Sequence, residues 1–128
     1  VLGLKNQDLI MLNGSGDRLD TAQGARYNEA SCSAMLKIIT DLHFTLVNQG
    51  SSITKIATVV GANSGTATRL YRNKFTHGAV VAKTGTVNPA ITLGGMISTK
   101  KGPYVFMFNV DPNGANSAAR GIIRQRLT

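Results

Sequence analysis

One cysteine, Cys32, is all the thiol this chain carries. An internal disulfide is therefore excluded, and a lone Cys matches no metal-ligand spacing. Its place at the start of an apolar helical pattern predicts a buried small residue rather than a reactive thiol. Acids are scarce too: six against 14 Lys and Arg, for a formal charge of +8. That excess favours anionic partners. The basic residues are dispersed, however, with Lys100-Lys101 and a looser set at Arg120, Arg124 and Arg126. No aromatics interleave with them as a stacking platform needs, so the expectation is a solvated basic surface and no nucleic acid. No apolar run is long enough for a transmembrane helix, and no secretory leader, low-complexity tract or internal repeat is visible. His43 and His77 come without an H-x-x-x-H or a paired-carboxylate pattern, and Asp17, Asp20 and Asn13 lack calcium-loop spacing. No metal and no cofactor are expected.

The length, 128 residues, fits one domain with a real core. In chain order, the D-L-I-M-L run within Val1–Leu12 predicts a short buried strand. Asn13-Gly14-Ser15-Gly16 is a strong turn signal, followed by a polar stretch to Asn28. Ser31 has the chemistry of a helix N-cap. Behind it Met35, Ile38, Ile39, Leu42 and Leu46 fall on one face, and Gly50 suits the position just past the end, predicting a helix over Ser31–Gln49. Ile53, Ile56, Val59 and Val60 are spaced for a short helix ending at Gly61. Asn63-Ser64-Gly65-Thr66 reads as a turn with a cap and, as a weaker alternative, an anion cradle. Thr66–Asn73 reads as another short helix. Tyr104–Val110 is an apolar strand, and Ser117 caps a last helix to Leu127.

The most informative stretch is Ala79–Ile97, A-V-V-A-K-T-G-T-V-N-P-A-I-T-L-G-G-M-I. A β-branched run leads into Lys83-Thr84-Gly85-Thr86, turns at Asn88-Pro89, and returns through a second apolar run ending in Gly94-Gly95. With Tyr104–Val110 this predicts three antiparallel strands in sequence order, Val80–Thr86, Ile91–Ser98 and Tyr104–Val110. The fold class is α/β of the α+β type, an antiparallel sheet with flanking helices.

K-T-G is one of the three signatures of penicillin-binding proteins and serine β-lactamases, beside S-x-x-K and S-x-N. Together the stretches resemble the C-terminal part of a D-alanyl-D-alanine carboxypeptidase of the class C low-molecular-mass penicillin-binding proteins, peptidase family S13. Members carry D-G-S-G-L-S-x-x-N before a capped helix; here N-G-S-G stands at Asn13–Gly16, with Asn28 and Ser31 before Met35–Val47. A Gly-rich loop and basic helix are similar to Gly61–Thr66 with Arg69 and Arg72. V-x-A-K-T-G-T-L is similar to Val80–Val87, and a Gly-containing strand and a Phe-rich strand follow. Two departures stand out: Asn13 replaces the usual Asp, and an insertion of about Asp17–Arg26 separates N-G-S-G from its helix.

The resemblance implies the C-terminal part of a β-lactamase/transpeptidase-like domain, residues 1–128, from a serine acyl-transfer enzyme outside the bacterial cytoplasm, in the periplasm or on the cell-envelope exterior. Its partners would be peptidoglycan stem peptides, β-lactams and the N-terminal part of the same domain. Lys83, Thr84 and Gly85 would be catalytic. The Lys83 ammonium attracts a substrate carboxylate and steadies a neighbouring hydroxyl. Thr84 and Thr86 offer hydroxyl donors, Gly85 lets the acyl group lie against the strand, and the Thr86 amide contributes to an oxyanion hole. Ser15 and Gly16 would form a loop near the site. In the family's order S-x-x-K and S-x-N precede N-G-S-G, and no S-x-N occurs here. The two S-x-x-K matches, Ser52–Lys55 and Ser98–Lys101, fall out of order or at the hairpin turn. The expectation is one wall of an active site without its nucleophile. A serine β-lactamase fragment and a non-catalytic, basic wall-polymer-binding module are the alternatives.

Overall fold

Residues 3–62, 65, 77–87 and 90–110 are described by the computed structural model. The N-terminal apolar run yields only a two-residue strand, β1 (Leu9–Ile10), half-buried rather than buried, and Met11 beyond it is 65% exposed. Its partner comes from across the polar stretch: β4 (Glu29–Ala30) pairs with it antiparallel. Between them the insertion folds into its own hairpin, β2 (Leu19–Thr21) against β3 (Gly24–Arg26). Thr21 Oγ1 donates to the Gly24 carbonyl at 2.8 Å, and Gly24 takes φ 111° to close the turn.

Helix α1 (Cys32–Asn48) starts and stops where its caps dictate. Ser31 Oγ accepts from the Ala34 N–H at 3.1 Å. At the other end Gly50, at φ 65°, donates to the Val47 carbonyl while Ser51 donates to Leu46. That pair of bonds satisfies carbonyls the helix leaves open and makes the left-handed glycine necessary. Cys32, at the first turn, is exposed and not the buried residue its pattern predicts, because the helix turns that face outward.

The segment after α1 is not the short helix its spacing predicts. Ile53–Lys55 forms a single 3₁₀ turn, and the chain then extends into β5 (Thr58–Val59). The β-branched Val59 and Val60 find cross-strand partners, which overrides a local periodicity too short to propagate a helix.

β5 is the edge strand of a four-stranded antiparallel sheet completed by β6 (Val80–Val87), β7 (Ala90–Thr99) and β8 (Gly102–Val110), in that order. Val87 faces Ala90 and Thr99 faces Gly102, so each hairpin has a two-residue loop and its register is fixed. β7 runs on to Thr99, so Ser98 lies in the strand and only Lys100-Lys101 make the turn. The predicted loop at Asn88-Pro89, the Asn63-Ser64 part of the Gly-rich loop, and the helices over 66–73 and 117–127 lie outside the described residues.

Alternation gives the sheet two faces. On one, Val81 and Met96 form a buried cluster with Ile53, covered by Ile39 and Leu46 of α1. On the other, Val80, Ala82 and Leu93 close around Val60, with Ile97 and Phe106 packed against them. Leu93 and Val60 are almost wholly buried, each contributing about 1.5–3 kcal/mol of transfer free energy. No helix of the described residues is long and apolar enough to cross a membrane.

Candidate active site

The pairing of β5 with β6 is brief: Val59 faces Val81 and Thr58 faces Ala82, and there it stops. From Lys83 onward β6 has β7 on one side and, among the described residues, no strand on the other. The direction of each peptide group follows from one bond, Ser98 N–H to the Ala79 carbonyl at 2.8 Å. Odd-numbered residues of β6 therefore turn their N–H and C=O toward β7, and even-numbered ones turn them away. The Val80 carbonyl obeys this rule, accepting from the Val60 N–H on the β5 side at 2.8 Å. By the same alternation Thr84 and Thr86 direct their backbone groups away from β7, along the edge that β5 does not reach.

Lys83 is exposed at this edge. Its Nζ donates to the Thr84 carbonyl, which folds the ammonium around the outward-facing side of the strand. Among the described residues no carboxylate pairs with it. A compact cation so placed is suited to an anionic group arriving along the edge.

Beside Lys83 opens a groove of about 330 Å³, roofed by α1 through Met35, Ile39 and Leu42 and bounded below by Ile56 and Ala57. Lys83, Thr84, Gly85 and Thr92 line its sheet side, and the surface it encloses is almost wholly apolar. Its floor depends on β7: a Cβ at Gly94 would meet Met107 Sδ at 2.8 Å and Ile39 Cδ1 at 3.4 Å, so the helix rests on bare backbone there. At Gly95 a Cβ would collide with the Val81 carbonyl oxygen and approach Ala82 Cα to 2.8 Å.

Gly85 is bare for a reason the sequence does not disclose. A Cβ there would collide with Thr92 Oγ1, and that hydroxyl donates to the Gly85 carbonyl at 3.4 Å. The space above Gly85 on this face is shared with Thr92, not left wholly to a ligand. Thr92, Gly94, Met35 and Ile39 were not among the residues the sequence nominates. A two-residue loop at Asn88-Pro89 was the available signal, since counting back from it sets Thr92 opposite Gly85.

Ser15 and Gly16 do not line this groove. They belong to a turn closed by Asn13, whose Oδ1 accepts from the Gly16 N–H at 2.8 Å and from Ser15 Oγ at 3.3 Å. Neither S-x-x-K serine is in the groove either. Ser52 Oγ caps the 3₁₀ turn, engaged by the Thr54 N–H at 3.3 Å and hydroxyl at 3.1 Å. Ser98 lies four residues along β7 from Gly94, the partner of Lys83, or roughly 13 Å away at strand spacing. His43 and His77 are not among the lining residues, and no cluster of metal-ligating side chains occurs among the described residues.

No curated protein matches the chain. Among solved structures it is similar to the predatory endopeptidase Bd0816 of Bdellovibrio bacteriovorus, in complex with immunity protein Bd3460. Identity is 33% and the TM-score 0.83, over 98% of this chain and 31% of that one. A second predatory endopeptidase of that organism, Bd3459, solved acylated by penicillin G in complex with the same immunity protein, is similar at 29% identity. Its TM-score is 0.78, over 96% of this chain and 33% of that one. The chain thus spans about a third of the length of the solved structures it matches. The sequence model of one family matches residues 1–127, and by that match the chain belongs to the D-Ala-D-Ala carboxypeptidase 3 (S13) family.

Proposed function

We propose that this chain supplies one wall of the active site of a serine-type peptidase that acts on peptidoglycan and is acylated by β-lactams. The observation that carries this reading is the edge of β6 beyond β5, which no strand of the described residues covers and where Thr86 directs its N–H outward, two residues on from the Thr84 carbonyl that the Lys83 ammonium engages. An extended peptide can add there as a further strand. Its scissile carbonyl would present its oxygen to the Thr86 N–H, a donor fixed before reaction and aimed where negative charge develops. Lys83 would attract the substrate's terminal carboxylate, with the Thr84 and Thr86 hydroxyls as further donors.

The reaction is acyl transfer. A serine hydroxyl attacks the carbonyl of a D-Ala residue in the stem peptide, the amide C–N bond breaks, the amine released (free D-Ala, or the neighbouring stem of a cross-link) leaves with the proton, and water hydrolyses the ester. The nucleophile and its base would come from residues outside these 128, since Ser52 and Ser98 are engaged or distant. Peptidoglycan as substrate argues for a place in the periplasm or on the exterior of the cell envelope.

A carboxypeptidase trims a terminal D-Ala, whereas an endopeptidase cuts cross-links. The family's description favours the first and the two predatory enzymes favour the second. The test is to incubate the full-length protein with a pentapeptide muropeptide and with a cross-linked dimer, and to follow both by mass spectrometry. Loss of D-Ala alone supports the carboxypeptidase, and conversion of dimer to monomers supports the endopeptidase. Failure on both, with no adduct from excess benzylpenicillin, overturns the acyl-transfer reading.

A further inference from the structure

We propose that Thr92 is a positioning residue for the oxyanion donor: its hydroxyl holds the Gly85–Thr86 peptide plane so that the Thr86 N–H stays aimed out of the open edge. The inference deepens the acyl-transfer reading and rests on it.

A peptide group is planar and trans, so the carbonyl of one residue and the N–H of the next point in opposite directions. Whatever fixes the Gly85 carbonyl therefore fixes the Thr86 N–H. Gly85 faces Thr92 in the β6–β7 register, and their pair has the parity of Ala79 and Ser98, which are joined by a backbone bond. The ladder accordingly turns the Gly85 carbonyl toward β7. There it accepts a second donor, Thr92 Oγ1, at 3.4 Å. A carbonyl oxygen has two lone pairs and can take both. Two donors on one side of a peptide restrain its rotation, and they polarise the N–H on the other side.

The restraint is needed where it occurs. Further back on β6, Val81 and Ala82 are held between two strands, whereas the Gly85–Thr86 peptide lies beyond the end of β5. Glycine also has the freest backbone, so this peptide would otherwise be the loosest in the motif. The missing Cβ admits the Thr92 hydroxyl, and the hydroxyl in turn limits the freedom that glycine brings.

The test uses the full-length protein and a fluorescent penicillin, with rapid kinetics to separate the non-covalent dissociation constant from the acylation rate constant. T92V keeps the shape and loses the donor; T92S keeps the donor and loses a methyl group. T92V is expected to lower the acylation rate constant about tenfold, short of the roughly 10²–10³ lost when an oxyanion donor is removed outright. Its dissociation constant stays unchanged, and T92S keeps the wild-type rate. G85A, whose Cβ collides with the hydroxyl, is expected to acylate more slowly than the double variant G85A/T92A, in which the collision is relieved.

Wild-type acylation by T92V overturns the proposal. So does a T92S as slow as T92V, or a G85A no slower than the double variant, since packing or occlusion of the ligand would then explain the site. A T92V that loses its cooperative melting together with its labelling makes Thr92 a packing residue and also overturns it. If the wild type is not labelled at all, the acyl-transfer reading falls first. A labelled wild type with an unaffected T92V removes only the role of Thr92.

Discussion

Asn28 grips the backbone of Asn13 from both sides: its Oδ1 accepts from the Asn13 N–H at 3.2 Å, and its Nδ2 donates to the Asn13 carbonyl at 2.9 Å. The same Oδ1 takes the Leu12 N–H at 2.8 Å. A side-chain amide thereby joins two strands of chain fifteen residues apart. Asn28→Ala abandons all three bonds at a part-buried position and should cost about 1–3 kcal/mol. Urea unfolding of the full-length protein measures the loss, and amide exchange should accelerate first across residues 12–17. Asn28→Asp retains the acceptor and should fall between wild type and Ala.

Lys83 is the cation at the open edge of β6, whereas Lys55 closes a 3₁₀ turn and Lys101 sits in a hairpin loop. In the full-length protein, Lys83→Ala should slow penicillin acylation by roughly 10²–10³, the scale of losing a fixed electrostatic contact to the reacting group. Lys55→Ala and Lys101→Ala should label as wild type. Ser52→Ala and Ser98→Ala should also label normally. Adduct formation abolished by either serine substitution would relocate the nucleophile.

Gly95 is set against backbone, not against a side chain that could move aside. The methyl group of Gly95→Ala would press on the Val81 carbonyl and Ala82 Cα, just before Lys83. Overpacking of this kind costs about 1–3 kcal/mol and here would push β6 and β7 apart. The variant should melt several degrees lower and lose acylation rate as well. Gly94→Ala meets flexible tips, Met107 Sδ and Ile39 Cδ1, and should be milder. Thermal unfolding of the two variants side by side checks the order.

The two ends of α1 make separable contributions. Ser31→Ala removes the cap on the Ala34 N–H and should cost about 1 kcal/mol. Gly50→Ala places a side chain in the left-handed region at φ 65° and should cost about 1–2 kcal/mol. Because the two residues lie at opposite ends and share no partner, the double variant should show the sum. Chemical denaturation of the three variants tests it, and a shortfall would mean that the ends are coupled through the helix.

Features decided within a few residues were legible in the sequence. The stripe from Met35 to Leu46 with Ser31 and Gly50 gave α1 and both caps, and the turn residues Asn88-Pro89 after Lys83-Thr84-Gly85-Thr86 gave the β6–β7 hairpin. Features decided by distant partners were not. Thr58 and Val59 read as part of a helix because β5 exists only through β6, twenty-odd residues away. Tyr104 and Phe108 make β8 look uniformly apolar, yet both are half-exposed on the face away from α1. At the candidate site the motif residues were nominated by resemblance, while Thr92 needed a cross-strand register to be noticed.

The hairpin β2–β3 hangs from a clasp. Asn13 and Asn28 hold its two roots together, and none of its residues lines the groove by Lys83. A segment closed at its base becomes a cul-de-sac: the chain can grow or shrink inside it while the fold outside meets the same two ends. Loop-closure entropy rises only slowly with length, so each added residue is thermodynamically cheap. Residues 17–26 are thus where relatives of this chain are free to differ in length, and where a reporter peptide could be spliced without the peptide-binding edge being aware of it.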